Sequence, residues 1–366
     1  MEAPLILSHE SALLCHRAAR LGRPPRVDNV AALAASIGTT SKLDVLVPTA
    51  DKRLRGSWAH SHVCAGIDTD ALTLPAANGI RVCVPELALW QLAQRGDVVR
   101  TALLAYELCG TFAIDADAPD GFVREIAPMT SRGRIESLVP AMPGSACSRA
   151  SIALRRVLDT LADGAASPAE AKLCLAMVAP RLSGGFGLPR PLLNSPIVVS
   201  GTGRGLTEKR TVYPDALWEK EGLILEYQGA YHAMESRIES DAGRDNALLA
   251  MGYRVIHVTR RQVNDYDLYQ GLMEAIRLAL GVRLALPSPR MLERREALWR
   301  RLYGVRRGER QPFSVRWDGT PFLPECCKRA VMYSSNESNV QICTKSGCGR
   351  VQKCTNAANA RASALE

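Results

Sequence analysis

The residues best placed to do chemistry lie in the second half of the chain. Asp215 sits in Tyr213-Pro214-Asp215-Ala216-Leu217, and Glu226 in Leu225-Glu226-Tyr227-Gln228-Gly229. Both segments are short and β-rich. Side chains two apart on a strand face the same side, so Glu226 and Gln228 point together while Leu223 and Leu225 point the other way. An acidic residue ending an apolar strand is costly unless it is solvated, paired or metal-bound. Taken alone, such carboxylates can be surface residues of a small sheet. If the 213–217 and 223–228 runs pair, however, Asp215 and Glu226 can share one Mg²⁺ (or Mn²⁺). Mg²⁺ takes one or two carboxylates and keeps several waters, leaving room for a phosphate oxygen. Such an ion polarises the phosphate and lowers the pKa of an attacking water.

The elements that must position this pair can be read from the pattern around it. Ser167-Pro168-Ala169-Glu170 has the form of a capping box, with Ser at the cap and Pro at the first helical position. The helix it opens should end near Ser183-Gly184-Gly185. From 195 the period becomes extended: SPIVVSG, RTVYPDALW and GLILEYQG are three β-rich runs separated by Gly-rich or charged loops. Gly201, Gly203 and Gly205 fit a hairpin loop rather than a dinucleotide motif, since no helix follows. A helix over about 236–251, a buried strand YRVIHVT and a last helix over about 262–280 complete the order α-β-β-β-α-β-α.

With that order in place, the Pro-Asp…Glu-x-Gln arrangement resembles the PD-(D/E)XK, or restriction-endonuclease-like, superfamily. It is most similar to very-short-patch-repair-like endonuclease domains, over about residues 167–280. Ser167 to Glu170 matches the opening helix and its acidic residue, and Leu188-Pro189-Arg190-Pro191 through Asn194 the linker. Gly229-Ala230-Tyr231-His232 matches a Gly-x-x-His segment, Asp241…Arg244-Asp245 an acidic helix, and Gly252 to Thr259 the closing strand. The resemblance implies Asp215 and Glu226 as metal ligands and Gln228 as the residue that positions water. Gln228 departs from the usual lysine, which weakens the case for strong catalysis. His232 is implied as a general acid/base or phosphate contact. Glu170 serves either as the capping partner of Ser167 or as a further carboxylate at the metal. Asp241 and Asp245, four apart with Arg244 beside them, suit ion pairs on one helix face. His257 reads as a satisfied strand histidine.

The first half reads as a mixed α/β domain. Helical periodicity covers 5–20, short β-runs follow at 44–48, 60–64 and 80–85, and helices at 85–96, 98–110 and 146–164. The segments GIRVCVPELALWQLAQRG and ALLAYELCGTF resemble AbiEi-like antitoxin proteins over about residues 1–130. That resemblance implies a defence or toxin–antitoxin context and a cognate toxin as partner. No motif in the first 165 residues itself points to a chemistry. The overall expectation is α/β: an N-terminal domain at 1–164, an endonuclease-like domain at 165–282, a basic helical extension at 283–325 and a disordered tail at 326–366.

Composition bounds these readings. The chain has 366 residues, 47% hydrophobic and 23% charged, which excludes wholesale disorder. Aromatics at 5% argue against a surface of stacked bases. The net charge of +9 lies in the C-terminal quarter: residues 1–282 are neutral, 283–329 carry +7 and 330–366 carry +2. Arg294, Arg295, Arg300 and Arg301, on an amphipathic helix over 290–303, are therefore the expected grip on a nucleic-acid backbone, with DNA as the partner. The chain shows no signal-like start and no apolar run of membrane-spanning length. Eleven cysteines, mostly scattered, suit reduced cytoplasmic thiols. The tail cysteines (Cys326, Cys327, Cys343, Cys348, Cys354) lack the paired spacing of a zinc site. Two functions compete: a Mg²⁺-dependent endonuclease, and a non-catalytic DNA-binding or antitoxin-like regulator that keeps the nuclease fold.

Overall fold

In the computed structural model the described residues are 4–304, apart from 40–41, 65, 143–147 and 229–234, with side chains of 229–241 also outside the description. The chain is α/β. It opens with β1 (Leu5–Leu7), α1 (His9–Arg20), α2 (Val30–Ser36), β2 (Leu43–Val47), β3 (Ala59–Val63), β4 (Thr73–Ala77) and β5 (Ile80–Cys83). The strands form one sheet in the order β3-β2-β1-β5-β4, with β2–β3 and β1–β5 parallel and the other two pairs antiparallel. The periodicity over 5–20 suggests only a helix. The first three residues instead form the central strand, because Leu5–Leu7 can pair with β2 on one side and β5 on the other. Tertiary pairing overrides local periodicity here.

Helices follow: α3 (Pro85–Ala93) and α4 (Val98–Cys109), the small hairpin β6 (Phe112–Ile114) and β7 (Phe122–Arg124), then α5 (Arg132–Leu138), α6 (Arg149–Thr160) and α7 (Pro168–Val178). Cap chemistry fixes their starts. Asp97, Ser131, Ser148 and Ser167 each accept the backbone N–H three residues on. Such a cap contributes about 1 kcal/mol.

The second half contains the hairpin β8 (Ile197–Val198) and β9 (Thr211–Val212), whose loop carries Gly201–Gly205 as a short 3₁₀ turn. Then come β10 (Ala216–Trp218), β11 (Leu223–Gln228), α8 (Glu235–Ala250), β12 (Arg254–Thr259), α9 (Arg260–Asn264), α10 (Tyr266–Ala279) and α11 (Pro289–Tyr303). The 210–218 run divides into β9 and β10 at Pro214, which has no N–H to give to a ladder. The helix expected over 262–280 is broken at Asp265, whose carboxylate caps α10 through the N–H groups of Asp267 and Leu268.

One main core runs from Leu7 to Leu302 and crosses position 164 without a gap: α4 packs on both α6 and α7, and the Tyr106 hydroxyl donates to the Thr160 carbonyl at 2.5 Å. A second, smaller cluster of Ile197, Val199, Val212, Leu217, Ile224, Ala247 and Leu248 lies on the other face of the three-stranded sheet β10-β11-β12. Five described cysteines (Cys15, Cys64, Cys83, Cys109, Cys174) are free thiols, and burial raises the pKa of each. No helix among the described residues is long and apolar enough to cross a membrane.

Helix α11 belongs to the main core rather than standing off as a basic extension. Trp299 is fully buried, its indole N–H donates to the Val263 carbonyl at 2.8 Å, and its ring packs against Tyr266 and Tyr269. Gly184 lets the helix approach: its φ is +92°, and a Cβ there would meet the Arg294 carbonyl oxygen at 2.3 Å. Trp299→Ala is expected to cost about 3–5 kcal/mol in denaturant unfolding. A loss below about 1 kcal/mol would show that α11 is not part of the core.

Candidate active site

Strands β10 and β11 pair antiparallel, with Ala216 opposite Leu225, Leu217 opposite Ile224 and Trp218 opposite Leu223. Ala216, Trp218, Leu223 and Leu225 enter the main core, while Leu217 and Ile224 enter the smaller cluster under α8. The same alternation continues one step outward. Glu226 follows Ile224 on the α8 face, Gln228 follows Glu226, and Asp215 lies one residue beyond Ala216, the partner of Leu225. The pairing expected from sequence for the two carboxylate-bearing runs is thus present.

At that step the backbone ladder ends and a side chain takes over. The Asp215 carboxylate Oδ2 accepts the Tyr227 N–H at 2.6 Å, and the Pro214 carbonyl accepts the Asn194 N–H at 3.0 Å. Asp215 keeps some accessible area but is closely surrounded by protein. Burial, with the charges of Glu170 and Glu226, pushes its carboxyl up to about 8, and the Tyr227 N–H and Arg124 only partly oppose this.

A polar chain runs beside the pair. Arg244 of α8 places Nη1 3.8 Å from Glu226 Oε2 and Nε 3.4 Å from Asp245. Asp245 Oδ2 lies 2.8 Å from His257 Nε2, and His257 Nδ1 lies 3.1 Å from the Gln228 amide nitrogen. One tautomer satisfies both contacts: a neutral imidazole that donates from Nε2 to Asp245 and accepts at Nδ1 from Gln228. The parallel β11–β12 register, Glu226 opposite His257, brings these residues together.

Glu170 lies within electrostatic reach of Asp215, but its oxygens are engaged. Oε1 accepts the Ser167 hydroxyl at 2.7 Å, and Oε2 accepts the Ala166 N–H at 2.8 Å and the Asn194 amide at 2.7 Å. Glu170, Asp215 and Glu226 do not bring three ligand oxygens within 4.8 Å of one another. The carboxylates here thus offer two donors at most, and the group of three possible ligands among the described residues lies elsewhere, at Asp44, His60 and His62. An all-oxygen pair suits a hard cation such as Mg²⁺ or Mn²⁺. His232 and the side chain of Asp241 lie outside the described residues.

The arginine helix differs from the sequence expectation. Arg295 is buried, with its guanidinium stacked 3.9 Å over the Phe186 ring and donating to Gln270 at 3.1 Å. Burial lowers its pKa. Arg294 donates to the Leu182 carbonyl at 2.7 Å, and Arg301 is ion-paired with Asp97. Arg300 is half exposed and holds Glu296 at 2.5 Å. Three of the four are thus tied into the fold, because an amphipathic helix packed on a core can turn long basic stems inward as well as outward.

Arg244, a supporting residue expected from sequence, reaches both Glu226 and Asp245. Sequence reasoning missed two participants. His257 is a satisfied strand histidine as expected, but one of its partners is Gln228 itself, which only the strand register reveals. Arg124 comes from β7, some ninety residues upstream, and no local signal marks it.

A pH dependence follows from Asp215. The folded chain holds this proton more tightly than the unfolded chain, whose carboxyl titrates near about 3.9. Stability relative to Asp215→Asn should therefore be greatest below about pH 4 and decline as pH rises through about 8. Thermal unfolding of both proteins across that range checks this. Parallel Tm curves would contradict it.

No family model, curated protein or solved structure matches this chain.

Proposed function

We propose that the Asp215–Glu226 face is the active site of a PD-(D/E)XK-like, metal-dependent phosphodiesterase acting on nucleic acid, with DNA as the substrate class. The observation that carries this reading is a pair of carboxylates one step beyond the Ala216–Leu225 pair at the adjoining ends of β10 and β11, where burial and the charges of Glu170 and Glu226 push the Asp215 carboxyl up to about 8. Strongly shifted carboxyls in such a setting are functional-site candidates on physical grounds. The element order α7, β-hairpin, β10, β11, α8, β12, α10 supports it, as does the resemblance of residues 167–280 to restriction-endonuclease-like chains.

In this proposal Asp215 and Glu226 hold Mg²⁺ or Mn²⁺. The ion, when bound, supplies the positive charge that polarises the scissile phosphate. Gln228 orients the attacking water, and the Asp245–His257 chain fixes the Gln228 amide. Arg244 adds a guanidinium beside the pair. His232 is retained as the proton-transfer or phosphate-contacting residue. The backbone grip moves from α11 to the β8–β9 hairpin, whose exposed loop carries Arg204, Lys209 and Arg210. That loop rests on α8: a Cβ at Gly243, next to Arg244, would meet the Leu206 carbonyl at 2.8 Å. The AbiEi-like character of residues 1–130 supports a defence or toxin–antitoxin setting with a cognate toxin.

One feature favours a second reading, a DNA-binding regulator without catalysis. Gln228 stands where the superfamily carries lysine, and its amide is already engaged by His257. Supercoiled plasmid cleavage with Mg²⁺ or Mn²⁺ separates the two. The enzyme reading predicts that Asp215→Ala and Glu226→Ala each lose activity by about a hundredfold or more. If wild type cuts no better than the double variant yet binds DNA with a steep salt dependence, the regulator reading holds.

A further inference from the structure

A second constellation lies in the N-terminal sheet, away from the all-oxygen pair. Asp44 on β2 and His60 on β3 are register partners in a parallel ladder, and Leu46 partners His62. Residues 44, 60 and 62 therefore share one face of the sheet. His62 Nε2 lies 2.7 Å and His60 Nδ1 3.4 Å from the same Asp44 Oδ1. One ligand atom from each of the three lies within 4.8 Å of the others.

A third imidazole closes on this group. His9, the first residue of α1, stacks on His62 with ring centroids 3.7 Å apart and planes 25° from parallel. It is placed by the Ser8 N–H, which donates to the Asp44 carbonyl at 2.9 Å, and by its own N–H, which donates to Gln91 Oε1 at 2.9 Å. His9 has φ +48°, a left-handed backbone unusual for a residue with a side chain. Such strain persists where the surroundings enforce it and concentrates at functional sites. Three of the chain's six histidines thus gather around one carboxylate.

We propose that Asp44, His60 and His62 bind a first-row divalent cation, with zinc the best match. Two imidazoles and a carboxylate are the donors zinc takes, and three protein ligands leave a fourth position open to water. Mg²⁺ prefers oxygen donors and is the wrong ion here. In a tetrahedral site with bonds of about 2.0–2.1 Å, ligand atoms stand about 3.3 Å apart. The His60–Asp44 pair already has that spacing, and the His62–Asp44 hydrogen bond need open by only about 0.6 Å. Arg95 is the competing cation, with Nη2 3.7 Å from Asp44 Oδ1 and Nη1 3.7 Å from Glu10. It is partly exposed, so its attraction for Asp44 is the weak kind that an inner-sphere metal displaces.

The test uses the full chain, stripped of metal and dialysed against Zn²⁺ or Co²⁺. The cysteines can also take up these ions, so the comparison is between wild type and variants at the histidines. His60→Ala should weaken uptake of one ion about tenfold or more, and His60→Ala with His62→Ala should abolish it. Bound Co²⁺ should give visible bands of a tetrahedral nitrogen–oxygen site, without a thiolate charge-transfer band, that vanish in the double variant. His60 has a side chain 63% exposed, so its truncation leaves the fold intact and keeps the test decisive if the double variant unfolds. Equal stoichiometry and affinity in folded wild type and His60→Ala would overturn the proposal. Survival or loss of Mg²⁺-dependent cleavage bears on the other site alone.

Discussion

The described strands β10 and β11 meet at a carboxyl, Asp215, that is enclosed beside two other acidic side chains. Asp215, Glu226 and Glu170 stand close enough to raise the cost of ionising Asp215, and one backbone N–H and the more distant Arg124 do not offset it. A fold built only for stability would replace such a carboxyl with an amide or an apolar residue, since like charges in a poorly solvated place are unfavourable. The cost is tolerable because Asp215 can keep its proton, and in the proposed function a cation takes that proton's place.

The neighbouring elements keep this arrangement in register. Alternation along β10 and β11 sends one set of side chains into the main core and the other toward α8, so the carboxylates emerge where the apolar face ends. Helix α8 caps that face with Ala247 and Leu248, then turns Arg244 and Asp245 toward Glu226 and His257. Ser167, Glu170 and Asn194 lock the start of α7 to the turn before β10, since Asn194 bonds both Glu170 and the Pro214 carbonyl. Glu170 thereby shapes the site electrostatically while its oxygens serve the fold.

Much of this was legible in the sequence because the relevant signals are local. The Ser-Pro-x-Glu cap, the Pro before Asp215, the period-two pattern of Leu223 to Gln228 and the glycine stops are all properties of a few adjacent residues. What was not legible depends on pairing between distant segments. The Gln228–His257 contact requires the β11–β12 register, and the inward fate of Arg295 requires Phe186 to be beneath it. The same holds for the N-terminal histidines: His60-Ser61-His62 reads as an ordinary β-run until the parallel partner strand sets Asp44 beside it. Net charge is silent in the same way, since it counts arginines without saying whether they face water or a core. The small loop at Arg204 to Arg210 contributes little to the total but lies beside α8.

The central claim is that the raised carboxyl of Asp215 marks a cation site. Calorimetric titration of the full chain with Mg²⁺ at pH 7, repeated in buffers of different ionisation enthalpy, tests it most directly. A carboxyl that titrates near 8 is largely protonated at that pH, and coordination must expel the proton. Release of close to one proton per ion bound, absent in Asp215→Asn, is the expected result. Binding without proton release, or binding unchanged in Asp215→Asn, would contradict the account.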